Sequence, residues 1–172
     1  MIANPKVVVA VLLALSLSAC GGWSLRGTRD AVSVDSVYIS ETRAETLRRA
    51  LTSELVNSGV RISRRRTDAG AVVEISGESF DRRVLSVDSD TGKVREIELG
   101  LEVEFSIRGR DGKLLVPPER VSWAQDYVFD ESSLLGTNER ASLVERELAE
   151  DAAQSIRLRL ETIDFSAQKA TQ

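Results

Sequence analysis

The one cysteine of this chain, Cys20, closes the tetrapeptide Leu17-Ser18-Ala19-Cys20, and its thiol carries the clearest chemistry in the sequence. Small residues ahead of a cysteine fit a signal-peptidase cleft, and a thiol at the cut site is the nucleophile that accepts a diacylglyceryl chain, as in a bacterial lipobox. Lys6 and the apolar run Val7-Val8-Val9-Ala10-Val11-Leu12-Leu13-Ala14-Leu15 precede it. That run falls short of the ~20 residues a spanning helix needs and suits the apolar core of a signal peptide. The expectation is a signal peptide over residues 1–19, an acylated tether over 20–31, and membrane attachment through the lipid anchor alone, at about 0.8 kcal/mol per buried CH₂. Gly21 after the cysteine, in place of the Asp of an inner-membrane retention signal, points to the outer membrane.

Two basic clusters stand out in a chain of net charge −4. Arg61, Arg64, Arg65 and Arg66 form the denser one; Arg82, Arg83, Lys93 and Arg95 form the second. Guanidinium groups bind phosphate in bidentate fashion, so an acidic lipid headgroup is the ligand class such clusters suit. For Arg82, Arg83, Lys93 and Arg95 the competing reading is that they neutralise nearby Asp88, Asp90 and Glu96. A nucleic-acid partner is not expected of a net-acidic chain.

Other constellations exclude more than they support. The absence of histidine removes imidazole general bases and His-ligated zinc, and a single cysteine removes intramolecular disulfides. Asp88-x-Asp90-x-Gly92 has a calcium-loop start, but Leu99 stands where the bidentate Glu is required, so the segment reads as a hairpin turn. Glu96, Glu98, Glu102 and Glu104 recur at the spacing of a solvated strand face, and no base sits beside the serines. Neither a catalytic residue nor a metal or cofactor is expected, and the chain is not read as an enzyme.

The elements that must position these groups follow from periodicity. Val32 to Ile39 is β-branched and reads as a strand; Glu41 to Ser58 carries Ala44, Leu47, Leu51 and Leu55 on one helical stripe, with Ser40 as the expected cap and Gly59 past the end. Ala71 to Val87 is extended, with a switch of apolar parity that calls for a bulge at Gly77 or at Arg82-Arg83. Glu96 to Arg108 alternates strictly, with Ile97, Leu99, Leu101, Val103, Phe105 and Ile107 on one face. Val121 to Phe129 alternates again, and Asn138 to Glu161 is a second helix, capped by Asn138 or Thr137 and packing through Ala141, Val144, Leu148, Ala152, Ser155 and Ile156. The fold class is therefore α+β: two helices on one face of a four- to five-stranded, mostly antiparallel sheet, a two-layer sandwich over residues 32–165 with a loose tail at 166–172.

Three segments resemble a known family. Cys20-Gly21-Gly22-Trp23-Ser24-Leu25-Arg26-Gly27, Arg83-Val84-Leu85-Ser86-Val87-Asp88 with Gly92 and Glu96, and Tyr127-Val128-Phe129-Asp130 followed by Leu134-Leu135-Gly136-Thr137-Asn138-Glu139 are similar to the LPS-assembly lipoprotein family of LptE type. The resemblance implies two helices on a four-stranded sheet. It also implies an outer-membrane lipoprotein that pairs with and plugs the large β-barrel delivering lipopolysaccharide to the cell surface. Lipopolysaccharide is the second implied partner, with Arg82, Arg83, Lys93 and Arg95 as the candidate phosphate contacts. The alternative reading is a free-standing envelope lipoprotein that binds a small apolar or acidic ligand between sheet and helices.

Overall fold

The computed structural model describes residues 32–41 and 43–165, so the expected signal peptide, the Cys20 tether and the 166–172 tail lie outside the described residues. Strands β1 (Ser36–Glu41), β2 (Arg61–Ile62), β3 (Ala71–Val87), β4 (Val94–Gly109) and β5 (Leu114–Val128) form one sheet in the order β2-β1-β3-β4-β5. Helices α1 (Glu45–Asn57) and α2 (Leu134–Glu161) cover one face. β1 runs parallel to both β2 and β3, whereas β3, β4 and β5 are antiparallel. The sheet is therefore mixed, because α1 carries the chain back over the sheet before β2 and makes a crossover of the β1-α1-β2 pair.

The layer between helices and sheet is filled. Leu47, Leu51 and Leu55 of α1, and Val144, Leu148, Ala152, Ile156 and Leu160 of α2, pack on Val73, Ile75, Leu99, Leu101, Val103 and Ile107, all of them buried. Ser155, expected in the α2 stripe, instead lies at its edge and donates its hydroxyl to the Asp151 carbonyl at 3.0 Å.

Helix boundaries depart from the sequence expectation at both N-termini. Ser40 belongs to β1 and does not cap α1; the N-cap position is Ala44, without a side-chain cap bond. The cap is tertiary: Glu78 Oε1 of β3 accepts the Leu47 N–H at 2.8 Å. α2 begins at Leu134, four residues before Asn138, and Thr137 is a buried internal residue whose hydroxyl donates to the Asp130 carbonyl at 3.0 Å. Gly59 does end α1 in the left-handed region, at φ 84°.

Register in β3 is interrupted between Ile75 and Gly77 and again around Leu85. The first bulge, at the expected place, leaves Ser76 as the extra residue and turns Phe80, Arg82 and Val84 onto the helix-covered face with Leu101, Leu99 and Ile97. No register break falls at Arg82-Arg83. β5 begins seven residues earlier than the alternation from Val121 indicates; Pro117 and Pro118 sit at a second break, between the Phe105 and Ile107 pairings. Prolines are tolerated there because β5 is an edge strand and loses no ladder bond on its outer side.

Candidate functional site

The β3–β4 hairpin closes on Asp88. Its Oδ1 accepts the N–H of Asp90 at 3.1 Å, the N–H of Thr91 at 2.9 Å and the Thr91 hydroxyl at 2.8 Å, while Gly92 takes φ 69° and donates its N–H to the Asp88 carbonyl. A side chain that mimics a turn peptide in this way is why Asp opens such loops. The segment is thus a hairpin turn, and among the described residues no group of acidic and cysteine side chains has metal-site geometry.

The Arg95 guanidinium completes the loop by pairing with Asp88 Oδ2. That pairing, followed by the Thr91 and backbone hydrogen bonds, holds the Asp88 carboxyl well below the usual carboxylate range. Lys93 reaches across to Glu131 at 2.8 Å, which ties the hairpin to the β5–α2 connection and raises the Lys93 ammonium above its ordinary value. The Phe129 N–H donates to the Arg95 carbonyl at 2.8 Å and joins the same two segments.

The four predicted phosphate contacts are brought to one end of the molecule but not to one surface. Arg82 lies on the helix side, opposite Leu99, and meets Glu145 of α2 at 3.4 Å. Arg83 lies on the open face, opposite Glu98, and meets it at 2.8 Å. Each of the four has a carboxylate partner, so local neutralisation is the geometry seen, but of the expected Asp88, Asp90 and Glu96 only Asp88 pairs with one of them, and the other three partners are Glu145, Glu98 and Glu131. Successive strand residues face opposite ways, which is why Arg82 and Arg83 separate.

The same end exposes apolar side chains. Val84, Val87 and Val128 are 52%, 56% and 71% exposed, and Leu135 at the start of α2 is 83% exposed. The open sheet face beyond them is polar along its length, with Glu98, Glu102, Glu104 and Arg120; Arg120 pairs with Glu104 at 2.9 Å and with Glu102 at 3.6 Å.

The opposite end of the sheet holds the Arg61 to Arg66 cluster and a group that sequence reading missed. Arg108, Arg110 and Lys113 of the β4–β5 hairpin stand beside the β2–β3 connection, because Val72 of β3 pairs with Arg108. Glu74 joins the two: its carboxylate accepts from Arg66, from Arg108 Nε at 2.8 Å and from the Ser106 hydroxyl at 3.3 Å. The Arg108 bond first, and then Arg66, hold the Glu74 carboxyl below its usual value. Strand alternation places Arg108 on the wet face; only register tells which distant loop it meets.

Among the described residues no helix is long and apolar enough to cross a membrane. No protein of curated function matches the sequence closely. Solved structures do. Rare lipoprotein B from Shewanella oneidensis is 26% identical over 73% of this chain and 92% of its own, with a TM-score of 0.61. A minor lipoprotein from Acinetobacter baumannii is 25% identical over 74% and 90%, at 0.60. Lipoprotein B from Nitrosomonas europaea, 21% identical over 79% and 88%, shares the fold at 0.65. The sequence also matches the family model for lipopolysaccharide assembly, LptE, over residues 31–160, from ahead of β1 to the last turn of α2, and the chain belongs to that family.

Proposed function

We propose that this protein is an outer-membrane lipoprotein, acylated at Cys20, that pairs with the lipopolysaccharide-transport β-barrel, occupies its lumen and supports its assembly and lipopolysaccharide insertion. Family membership across nearly the whole folded region is the observation that carries the reading. Physical features agree with it. A five-stranded sheet with two edges cannot itself be a membrane barrel, which needs at least eight strands. Its uncovered face is charged, as a domain enclosed by a water-filled lumen requires, while Val84, Val87, Val128 and Leu135 offer an apolar rim for protein contact. The role is non-catalytic.

In this reading lipopolysaccharide phosphates are met at the β3–β4 hairpin by Arg82, Arg83, Lys93 and Arg95, each exchanging a carboxylate for a phosphate. Such an exchange is inexpensive, because exposed ion pairs contribute only about 0–1 kcal/mol. The filled layer between sheet and helices does not favour the alternative of a small ligand held there.

The partner role is tested by isolating the protein from outer membranes and identifying what remains bound. A large β-barrel in stoichiometric amount is expected, together with an N-terminal peptide that begins at acylated Cys20. A protein that runs alone, with the barrel assembled normally in its absence, removes the reading. For direct lipid contact, Arg83→Glu with Arg95→Glu is expected to weaken lipopolysaccharide binding about tenfold or more, since charge-assisted contacts contribute on the order of 1–3 kcal/mol each. Equal affinity of the folded variant and the wild type removes the hairpin from that role.

A further inference from the structure

At the end of the sheet opposite the β3–β4 hairpin, the segments 61–74 and 108–113 carry seven cations in a net-acidic chain. Arg61, Arg64, Arg65 and Arg66 come from the first, and Arg108, Arg110 and Lys113 from the second. Against them stand three carboxylates in those same segments, Asp68, Glu74 and Asp111. Glu74 serves two guanidinium groups at once, so that cluster retains a positive charge, and Asp68 pairs with Arg65 at 2.6 Å. Arg61, Arg64, Arg110 and Lys113 are exposed and have no ion pair among the described residues.

The chain also enters the folded domain at this end. β1 starts at Ser36, which pairs with Arg61, and the loop that carries Arg64 to Arg66 is fastened to it by the Gly70 N–H donating to the Ser36 carbonyl at 2.9 Å. Eleven residues separate Cys20 from Val32, a reach of at most about 40 Å. β4 is 16 residues long, so the other end of the sheet lies about 50 Å from this one. The chain coming from the anchor therefore joins the domain at its cationic end.

We infer that this end is a docking surface for the phosphate groups of anionic phospholipids, a second and electrostatic attachment to the leaflet in which the Cys20 lipid is inserted. The inference rests on the reading that Cys20 carries the anchor, and it assigns the Arg61 to Arg66 cluster to the membrane, apart from any lipopolysaccharide contact at the opposite hairpin. Several basic groups facing an anionic surface add to a lipid chain in this way, over distances of about a Debye length. The two attachments together fix which end of the domain faces the bilayer.

The test is partition of the full chain, purified from membranes in detergent and diluted onto vesicles of phosphatidylcholine alone or mixed with phosphatidylglycerol. Binding to the neutral vesicles reads the anchor; the gain on anionic vesicles reads the surface. A gain of about tenfold is expected at low ionic strength and its loss at about 0.5 M salt. Arg64→Glu with Arg110→Glu, and independently Arg61→Glu with Lys113→Glu, should abolish most of that gain while circular dichroism and neutral-vesicle binding stay unchanged. Arg140→Glu, near the start of α2 at the far end, should keep it. Equal gain in wild type and both double variants overturns the inference, as does an equal loss in Arg140→Glu, which would make it an effect of net charge. Displacement by inorganic phosphate at constant ionic strength also overturns it, in favour of a discrete anion site. Loss of neutral binding with the gain retained removes the anchor and leaves the surface standing.

Discussion

Glu78, in the middle of β3, caps α1: its Oε1 accepts the Leu47 N–H at 2.8 Å across 31 residues of sequence. Ala44 offers no side-chain acceptor at that terminus, so an unmet donor of the first turn is satisfied from the sheet, by a group whose negative charge also suits the helix dipole. The bulge at Ser76 makes this possible, because without it Glu78 would face the open side.

Glu78→Ala is accordingly expected to destabilise the fold by about 1–2 kcal/mol, and Glu78→Gln, which keeps an acceptor, by clearly less. Urea unfolding of the three proteins measures the difference. Equal losses for Ala and Gln would mean that charge, and not the hydrogen bond, is what matters at this position.

The Asp88 loop predicts an acid-labile hairpin. The folded carboxyl titrates well below its ordinary value of 3.8, so the ionised form is favoured by folding. Its contribution is complete above that ordinary value and is lost as pH falls through the lower folded one. Amide protection and chemical shifts of Asp90 and Thr91 should therefore hold at pH 5 and collapse only at strongly acidic pH. Asp88→Asn should abolish this acid transition while keeping the turn, since the amide oxygen can still accept the Asp90 and Thr91 donors.

Arg157 of α2 bridges Glu54 of α1 at 2.7 Å and Glu161 one turn on, and its side chain is only 13% exposed. Removing it leaves two carboxylates together in a partly buried seam, so Arg157→Ala should cost on the order of 2–3 kcal/mol. Arg157→Lys is expected to restore little, because one ammonium cannot reproduce the forked geometry that holds both partners. Thermal unfolding of the two variants near neutral pH reads the ordering; a Lys variant as stable as wild type would contradict it.

Leu148 lies at the centre of the helix–sheet layer and is 1% exposed. Leu148→Ala should destabilise by about 2–5 kcal/mol through lost transfer energy and a cavity. Leu158 on the same helix is 47% exposed, and Leu158→Ala should change stability by less than about 0.5 kcal/mol. Comparable losses at the two positions would mean that the α2 face is assigned wrongly.

Much of this was legible in the sequence, and for local reasons. The strict alternation of β4 determined its buried face, the 3.6-residue stripe of Leu47, Leu51 and Leu55 determined the inner side of α1, and the Asp88 to Gly92 chemistry determined a hairpin, since each of these signals is carried by residues close together in the chain. The family resemblance rested on short contiguous segments in the same way. What only the tertiary structure decided involves partners far apart. The parallel pairing of β1, the capping of α1 by Glu78, the turning of Arg82 to the helix side and the meeting of Arg66 with Arg108 through Glu74 all depend on strand register and on single-residue bulges. A one-residue slip exchanges the two faces of a strand at almost no change in local propensity, so composition and spacing constrain register weakly. The core that selects one register exists only once both helices have closed over the sheet.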